Sequence, residues 1–255
     1  MSTVARHHRI DGPADRPPLL LGGSLGTNLS MWEPQLPALA GFRRVIAFDQ
    51  RGHGRSPAPP GPYSIDDLGG DVLALLDALA IERADYAGLS IGGMIGLWLA
   101  INAPERIGRL VIICSSAKVD GSGFRERAAT VLAAGSPAIV ADAVLARWFT
   151  EPFARRHPEL IARMRGMIAA TPAAGYAGCC EAIAAMDLRP GLPAIGAPTL
   201  VIGAGQDPSL PAAAHSAVIA AAIPGARYEV VEPAAHIASV EASETVNALI
   251  LEHLR

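Results

Sequence analysis

The sequence predicts an α/β fold, a mostly parallel sheet with helices on both faces and a helical insertion over the strand ends. Three observations predict it. Short apolar runs alternate with longer helical segments over 19–117 and again over 198–255, the pattern of consecutive strand–helix units. Between them, over 119–192, β-type runs vanish and Ala-rich segments separated by prolines follow one another. Finally, Gly88-Leu89-Ser90-Ile91-Gly92 joins an apolar run to a small-residue helical segment. A G-x-S-x-G pentad in that setting reads as a tight strand-to-helix turn that exposes a serine hydroxyl.

In chain order, Leu19-Leu20-Leu21 is the first strand and Gly22-Gly23-Ser24-Leu25-Gly26-Thr27 the loop after it, with a helix expected over 32–39. A strand then runs into Asp49-Gln50-Arg51-Gly52-His53-Gly54, a Gly-rich turn whose shape His53 supports, and a helix over 65–79 follows. Ala84-Asp85-Tyr86-Ala87 is a short buried strand ahead of the pentad; the helix over 91–103 is rich in Gly, Ala, Leu and Met, and Pro104 stops it. A strand at 110–114 precedes four helical segments, at 124–134, 137–149, 158–169 and 173–186. The strand Thr199-Leu200-Val201-Ile202-Gly203, a helix over 211–223, the strand Tyr228-Glu229-Val230-Val231 and a helix over 239–254 close the chain. Four helices without an intervening strand point to an insertion rather than to cover for a sheet face. The expected division is therefore a core of 1–118 and 193–255 with a helical cap of 119–192.

A length of 255 residues suits one large α/β domain or one domain with an insertion. Apolar residues make up 51% of the chain, enough for a sizeable core, and a net charge of −3 with scattered charges gives no sign of nucleic acid or an anionic membrane as partner. The first eight residues contain no apolar run of the kind a signal peptide needs, and no stretch approaches a membrane-spanning helix. Of three cysteines, Cys179 and Cys180 are adjacent and Cys114 lies in a strand. That usage predicts a reducing, cytoplasmic setting without a disulfide framework. No His/Cys/carboxylate cluster has metal-ligand spacing, no G-x-G-x-x-G is present and no Lys follows the early glycines. Neither a metal nor another cofactor is expected, and the partner is a small molecule.

The chemistry expected of these residues is nucleophilic attack on a carbonyl carbon. An unaided serine hydroxyl is too weakly acidic to attack at neutral pH. His236, in the loop after the last strand, is expected to take the Ser90 proton, and Asp207, in Ala204-Gly205-Gln206-Asp207-Pro208 at the end of the preceding strand, to orient the imidazole and stabilise its cation. All three follow strands, where a parallel sheet gathers its functional loops. His7, His8, His157, His215 and His253 lack such a setting; Asp120, also beyond a strand, is the alternative acid. An oxyanion hole needs the N–H after the nucleophile, here Ile91, and another from the early strand-to-helix loop, by position Leu25.

Taken together, these residues resemble the α/β-hydrolase fold over essentially the whole chain, including its order Ser…Asp…His. Within that fold the chain is similar to the 3-oxoadipate enol-lactonases. The resemblance rests on Ser24-Leu25-Gly26-Thr27-Asn28-Leu29-Ser30-Met31-Trp32, on Arg51-Gly52-His53-Gly54-Arg55-Ser56 with Gly61-Pro62-Tyr63-Ser64-Ile65, and on Gly88 to Gly96. In the insertion it rests on Gly175-Tyr176-Ala177-Gly178-Cys179-Cys180-Glu181-Ala182-Ile183 with Met186-Asp187, and on Arg147-Trp148-Phe149. The chain departs from the family at Gly22-Gly23, commonly a more polar pair, and at Ile237-Ala238-Ser239 after the histidine. The resemblance implies hydrolysis of a five-membered enol-lactone bearing an acetate arm. It implies Arg147 as the cation for the free carboxylate, with Arg163 or Arg165 in reserve, and Trp148 as an apolar wall. A general carboxylesterase or perhydrolase, or a slow-turnover ligand-binding receptor, are the other readings. Epoxide hydrolases and dehalogenases place an aspartate where this chain has Ser90.

Overall fold

The computed structural model describes residues 6–255; residues 1–5, part of the N-terminal segment expected not to be a signal peptide, lie outside them. Seven strands form one sheet: β1 (His8–Asp11), β2 (Pro18–Gly22), β3 (Arg44–Phe48), β4 (Ala84–Leu89), β5 (Ile107–Ile113), β6 (Thr199–Ala204) and β7 (Arg227–Val231), in the order β1-β3-β2-β4-β5-β6-β7. Every neighbouring pair is parallel except β1 with β3. Leu19, Leu20 and Leu21 of β2 and Leu110 to Ile113 of β5 are almost wholly buried. Strands covered on both faces read as unbroken apolar runs, which is why these were visible in the sequence.

The helices are α1 (Leu36–Leu39), α2 (Ile65–Ala78), α3 (Ile91–Asn102), α4 (Ser122–Ala134), α5 (Ala141–Trp148), α6 (Glu151–Arg156), α7 (Pro158–Ala170), α8 (Ala173–Ala185), α9 (Ser216–Ala222), α10 (Ala238–Glu241) and α11 (Ser243–Leu254). α2 packs on α3, α3 over β4 and β5, and α9 over β6 and β7, whereas α1 and α11 pack together, α11 also touching β5. Between β5 and β6 the regular structure is all helical, from α4 to α8 with short 3₁₀ turns.

The observed elements differ from the expected ones in five places. β1 was not anticipated, because it is a four-residue antiparallel edge strand, partly exposed, with no apolar run. The segment 32–39 divides around Pro34 into a 3₁₀ turn, Leu29–Trp32, capped by the Asn28 side chain, and α1. Of 211–223 only α9 is helical, the residues after Pro211 forming turns. The last helix breaks at Ala242, which leaves helical geometry with φ −125°, and α6 is an extra helix between α5 and α7.

The path of the chain creates a crevice. From β2 it crosses to β3 on one side, then returns to β4 on the other, so the loops that leave β2 and β4 diverge. Parallel sheets bind ligands at such a switch point, beyond the carboxyl ends of the strands. Gly22 and Gly88, the last residues of register between β2 and β4, sit there side by side.

Candidate active site

The turn that carries Ser90 is held from three sides. Ser90 has φ 58° and ψ −119°, a left-handed backbone that L-residues rarely adopt and that functional turns retain against a cost in strain. Its N–H donates to Ile113 O at 2.9 Å, and its carbonyl accepts from Ser115 Oγ at 2.7 Å. α3 begins at once and runs so close to β2 that a Cβ on Gly92 would lie 2.1 Å from Gly22 O. The glycines of the pentad thus answer to backbone approach, as its spacing suggests.

β6 and β7 deliver the other two groups. Asp207, 4% exposed, turns one carboxylate oxygen to the N–H groups of Ser209 (2.8 Å) and Leu210 (3.0 Å). Its other oxygen lies 2.7 Å from His236 Nδ1. His236 Nε2 lies 2.9 Å from Ser90 Oγ. A neutral imidazole protonated on Nδ1 donates to Asp207 and accepts from the serine hydroxyl. Burial works to raise the Asp207 pKa, but His236 and the two backbone donors outweigh it, and the carboxyl is held below its ordinary value. The loop bearing His236 is pinned in turn: Glu241 accepts the Ala235 N–H at 3.0 Å, and Ile237 donates its N–H to Trp148 O at 3.0 Å. Such a relay can move the serine proton to the imidazole as Oγ attacks a carbonyl.

Leu25 sits in the loop after β2 and faces the same cavity, while Ile91 opens α3. Among the described residues neither N–H has a hydrogen-bond partner in the chain. The loop's shape depends on His53. This buried side chain accepts the Gly26 N–H on Nε2 at 2.8 Å and donates from Nδ1 to Arg51 O at 3.0 Å. Burial pushes its pKa down to about 4, so the ring stays neutral and keeps the tautomer that this pair of bonds requires.

The cavity above Ser90 has a volume of about 150 Å³, small beside the roughly 300–1,000 Å³ of pockets that take drug-sized ligands. Leu25, Met94, Val144, Trp148, Ile183 and Leu210 give it apolar walls, and Asp120, Arg127, Arg147 and Tyr176 also line it. Trp148 is buried and Arg147 exposed at the margin. Arg163 and Arg165 are elsewhere, half-exposed and paired with Glu33 and Asp142. Asp120 bonds to the N–H and hydroxyl of Ser122, not to His236. Arg127 is the charged residue the sequence pattern does not single out. Its helix offers one signal, since Phe124 and Arg127 are three apart and share a face, and the guanidinium lies 5.1 Å from the centre of the Phe124 ring. Among the described residues no cluster of His, Cys, Asp and Glu could hold a metal ion.

These features define a class. The chain belongs to the α/β hydrolase fold family, whose model matches residues 17–243. Within it, the chain is similar to 3-oxoadipate enol-lactonase 2 of Acinetobacter baylyi, with 42% identity over 245 residues, 96% of this chain and 91% of that protein. The solved enol-lactonase of Burkholderia xenovorans LB400 superposes with a TM-score of 0.96 at 41% identity, covering 98% of this chain and 96% of that one. A hydrolase from Pseudomonas aeruginosa PA01 superposes with a TM-score of 0.95 at 43% identity, covering 98% and 94%.

Proposed function

We propose that this protein is a 3-oxoadipate enol-lactonase that opens its substrate through an acyl-enzyme on Ser90. The observation that carries the reading is the Ser90–His236–Asp207 relay, with separations of 2.9 and 2.7 Å, facing a small cavity also lined by Arg127 and Arg147. Similarity to enol-lactonases over nearly the whole chain supports the substrate.

Ser90 Oγ attacks the lactone carbonyl while its proton passes to His236 Nε2, and the new oxyanion accepts from the Leu25 and Ile91 N–H groups. The ring C–O bond then breaks. Its oxygen leaves as an enol after taking the proton from His236, and the enol tautomerises to the ketone. An enolate is a better leaving group than an alkoxide, so this step asks little of the acid. The leaving end stays tethered to the acyl-enzyme, so water must enter beside it; His236 takes a proton from that water, which attacks the ester carbonyl and frees 3-oxoadipate and Ser90. In this reading 1–118 and 193–255 form the hydrolase core and 119–192 a cap that closes over the substrate. Trp148 is its apolar wall and Arg147 a cation at its margin. The setting is cytoplasmic; three free, buried cysteines and the absence of any helix long and apolar enough to cross a membrane accord with that among the described residues.

The test is to offer purified protein the enol-lactone and follow its ultraviolet absorbance. Rapid loss of the enol-lactone chromophore is expected. Hydrolysis of simple aryl esters with none of the lactone favours a general carboxylesterase instead.

A further inference from the structure

The lining of the cavity includes a polar group that the relay does not use. Tyr176, on α8, is wholly buried and lines the cavity. Its hydroxyl makes no well-aligned hydrogen bond among the described residues, although the Arg127 guanidinium is close enough to act on it as a donor, and the phenolic proton has no acceptor there. A buried hydroxyl left unpaired costs free energy, and such groups in native proteins ask for an explanation. Burial pushes the phenol pKa up to about 12, although the charge and the hydrogen-bonding reach of Arg127 work in the opposite direction. The hydroxyl therefore stays protonated at neutral pH and is available as a donor. Arg127, from α4, lies half-buried beside it on the same wall.

Arg127 and Arg147 differ in place. Both also line an outer groove of about 360 Å³ between α4 and α5, together with Glu126 and Thr130. Arg147 is exposed, whereas Arg127 is half-buried. The one acidic group on the cavity wall, Asp120, is already engaged with Ser122.

We propose that the Tyr176 hydroxyl and the Arg127 guanidinium together form the subsite that takes the substrate's free carboxylate, with Arg147 serving at the groove mouth. The proposal deepens the lactonase reading and rests on it for the identity of the substrate. An anion there gains a charge-assisted bond from the guanidinium and accepts the phenolic proton at once. A neutral ester or amide carbonyl can still accept from the phenol but forgoes the charge-assisted bond to Arg127, so the guanidinium carries the discrimination between charged and uncharged ligands. Tyr176 also underlies the loop after β2, since a Cβ on Gly26 would lie 3.1 Å from its ring.

The experiment compares the wild type with Arg127→Gln, Arg127→Lys, Tyr176→Phe and Arg147→Gln. Two readouts are taken: kcat/KM for the enol-lactone relative to that for 4-nitrophenyl acetate, and the inhibition constants of adipate and its uncharged counterpart adipamide against the aryl ester. Arg127→Gln should lower the lactone-to-ester ratio and weaken adipate inhibition about ten- to a hundred-fold, the loss expected for a hydrogen bond to a charged group. Tyr176→Phe should do the same by about three- to ten-fold, and Arg127→Lys should recover part of the loss. Adipamide inhibition should move far less than adipate inhibition. An unchanged ratio and unchanged adipate inhibition in Arg127→Gln overturn the proposal, as does a larger effect of Arg147→Gln on both. Circular dichroism excludes unfolded variants, and Arg127→Lys carries the test if the Gln variant fails to fold. If the wild type does not open the lactone, the lactonase reading fails, while the adipate measurement still decides whether the subsite exists.

Discussion

At Ser90 the oxygen 2.9 Å from His236 Nε2 can be removed with almost no change in volume. Ser90→Ala should remain folded by circular dichroism yet lose turnover by roughly 10⁴–10⁶, the loss typical of a missing nucleophile. A variant that keeps a tenth of the activity would remove Ser90 from the mechanism. The acid is tested by pairing two variants: Asp207→Asn should cost about 10⁴ in kcat through loss of the orienting anion, and Asp120→Asn far less, because Asp120 bonds to Ser122 rather than to the imidazole. His53 makes a prediction about pH. Its pKa falls from the usual 6.5 to about 4 in the folded chain, so the unfolded state binds the extra proton first as pH drops. The stability due to neutral His53 is thus complete above about pH 6.5 and is lost between there and pH 4, on the order of 3 kcal/mol in all. Denaturant melts of the wild type should therefore weaken across that window more steeply than those of His53→Gln, whose amide can still accept the Gly26 N–H. Parallel curves would show that the ring does not titrate with unfolding. The sequence marked Ser90, Asp207 and His236 because each sits in a short loop after an apolar strand. It did not mark Arg127, since arginines at helical spacing face solvent or cavity according to packing that only the fold determines.

Helix α8 approaches the loop after β3 more closely than side chains would allow. A Cβ on Gly175 would meet Gly52 O at 2.2 Å, and Gly52 itself has φ 74°. Gly175→Ala must push backbone from backbone and should cost about 1–3 kcal/mol, at roughly 2–4 °C per kcal/mol in a chain of this size. Gly166→Ala, on an exposed turn of α7 with nothing within 4 Å of the new Cβ, should be neutral or raise Tm, because alanine favours the helix. Scanning calorimetry on the two variants checks the contrast; equal losses would mean that helix propensity, not contact, sets the effect. Elements of this kind were unevenly legible. The pentad and its helix were visible because small residues and apolar runs are local signals. The break at Ala242 carries no breaker residue, and β1 has meaning only once β3 lies beside it. α6 did carry a start signal, Glu151-Pro152 in its first turn, but its six residues are too few to show a period.

Across the whole molecule, the sheet gathers the relay from three distant stretches of chain, while the wall facing it comes from α4, α5 and α8. The two parts of the site thus come from the loops of the sheet and from the helices between β5 and β6, and the three thiols are distributed between these elements: Cys114 just beyond β5 in the sheet, Cys179 and Cys180 on α8, all buried and free. Burial pushes each thiol pKa upward, that of Cys180 to about 12, so none reacts until the protein around it opens. The chain therefore carries its own clocks. An alkylating reagent, with each site read by mass spectrometry, times the lifting of α8 at Cys179 and Cys180 and the opening of the sheet at Cys114. If α8 lifts independently, the pair should be modified well before Cys114, since local openings cost less than global unfolding, and adipate should slow the pair alone. Simultaneous labelling of all three would mean that the sheet and the helices above it open as one body, and that substrate enters without α8 lifting.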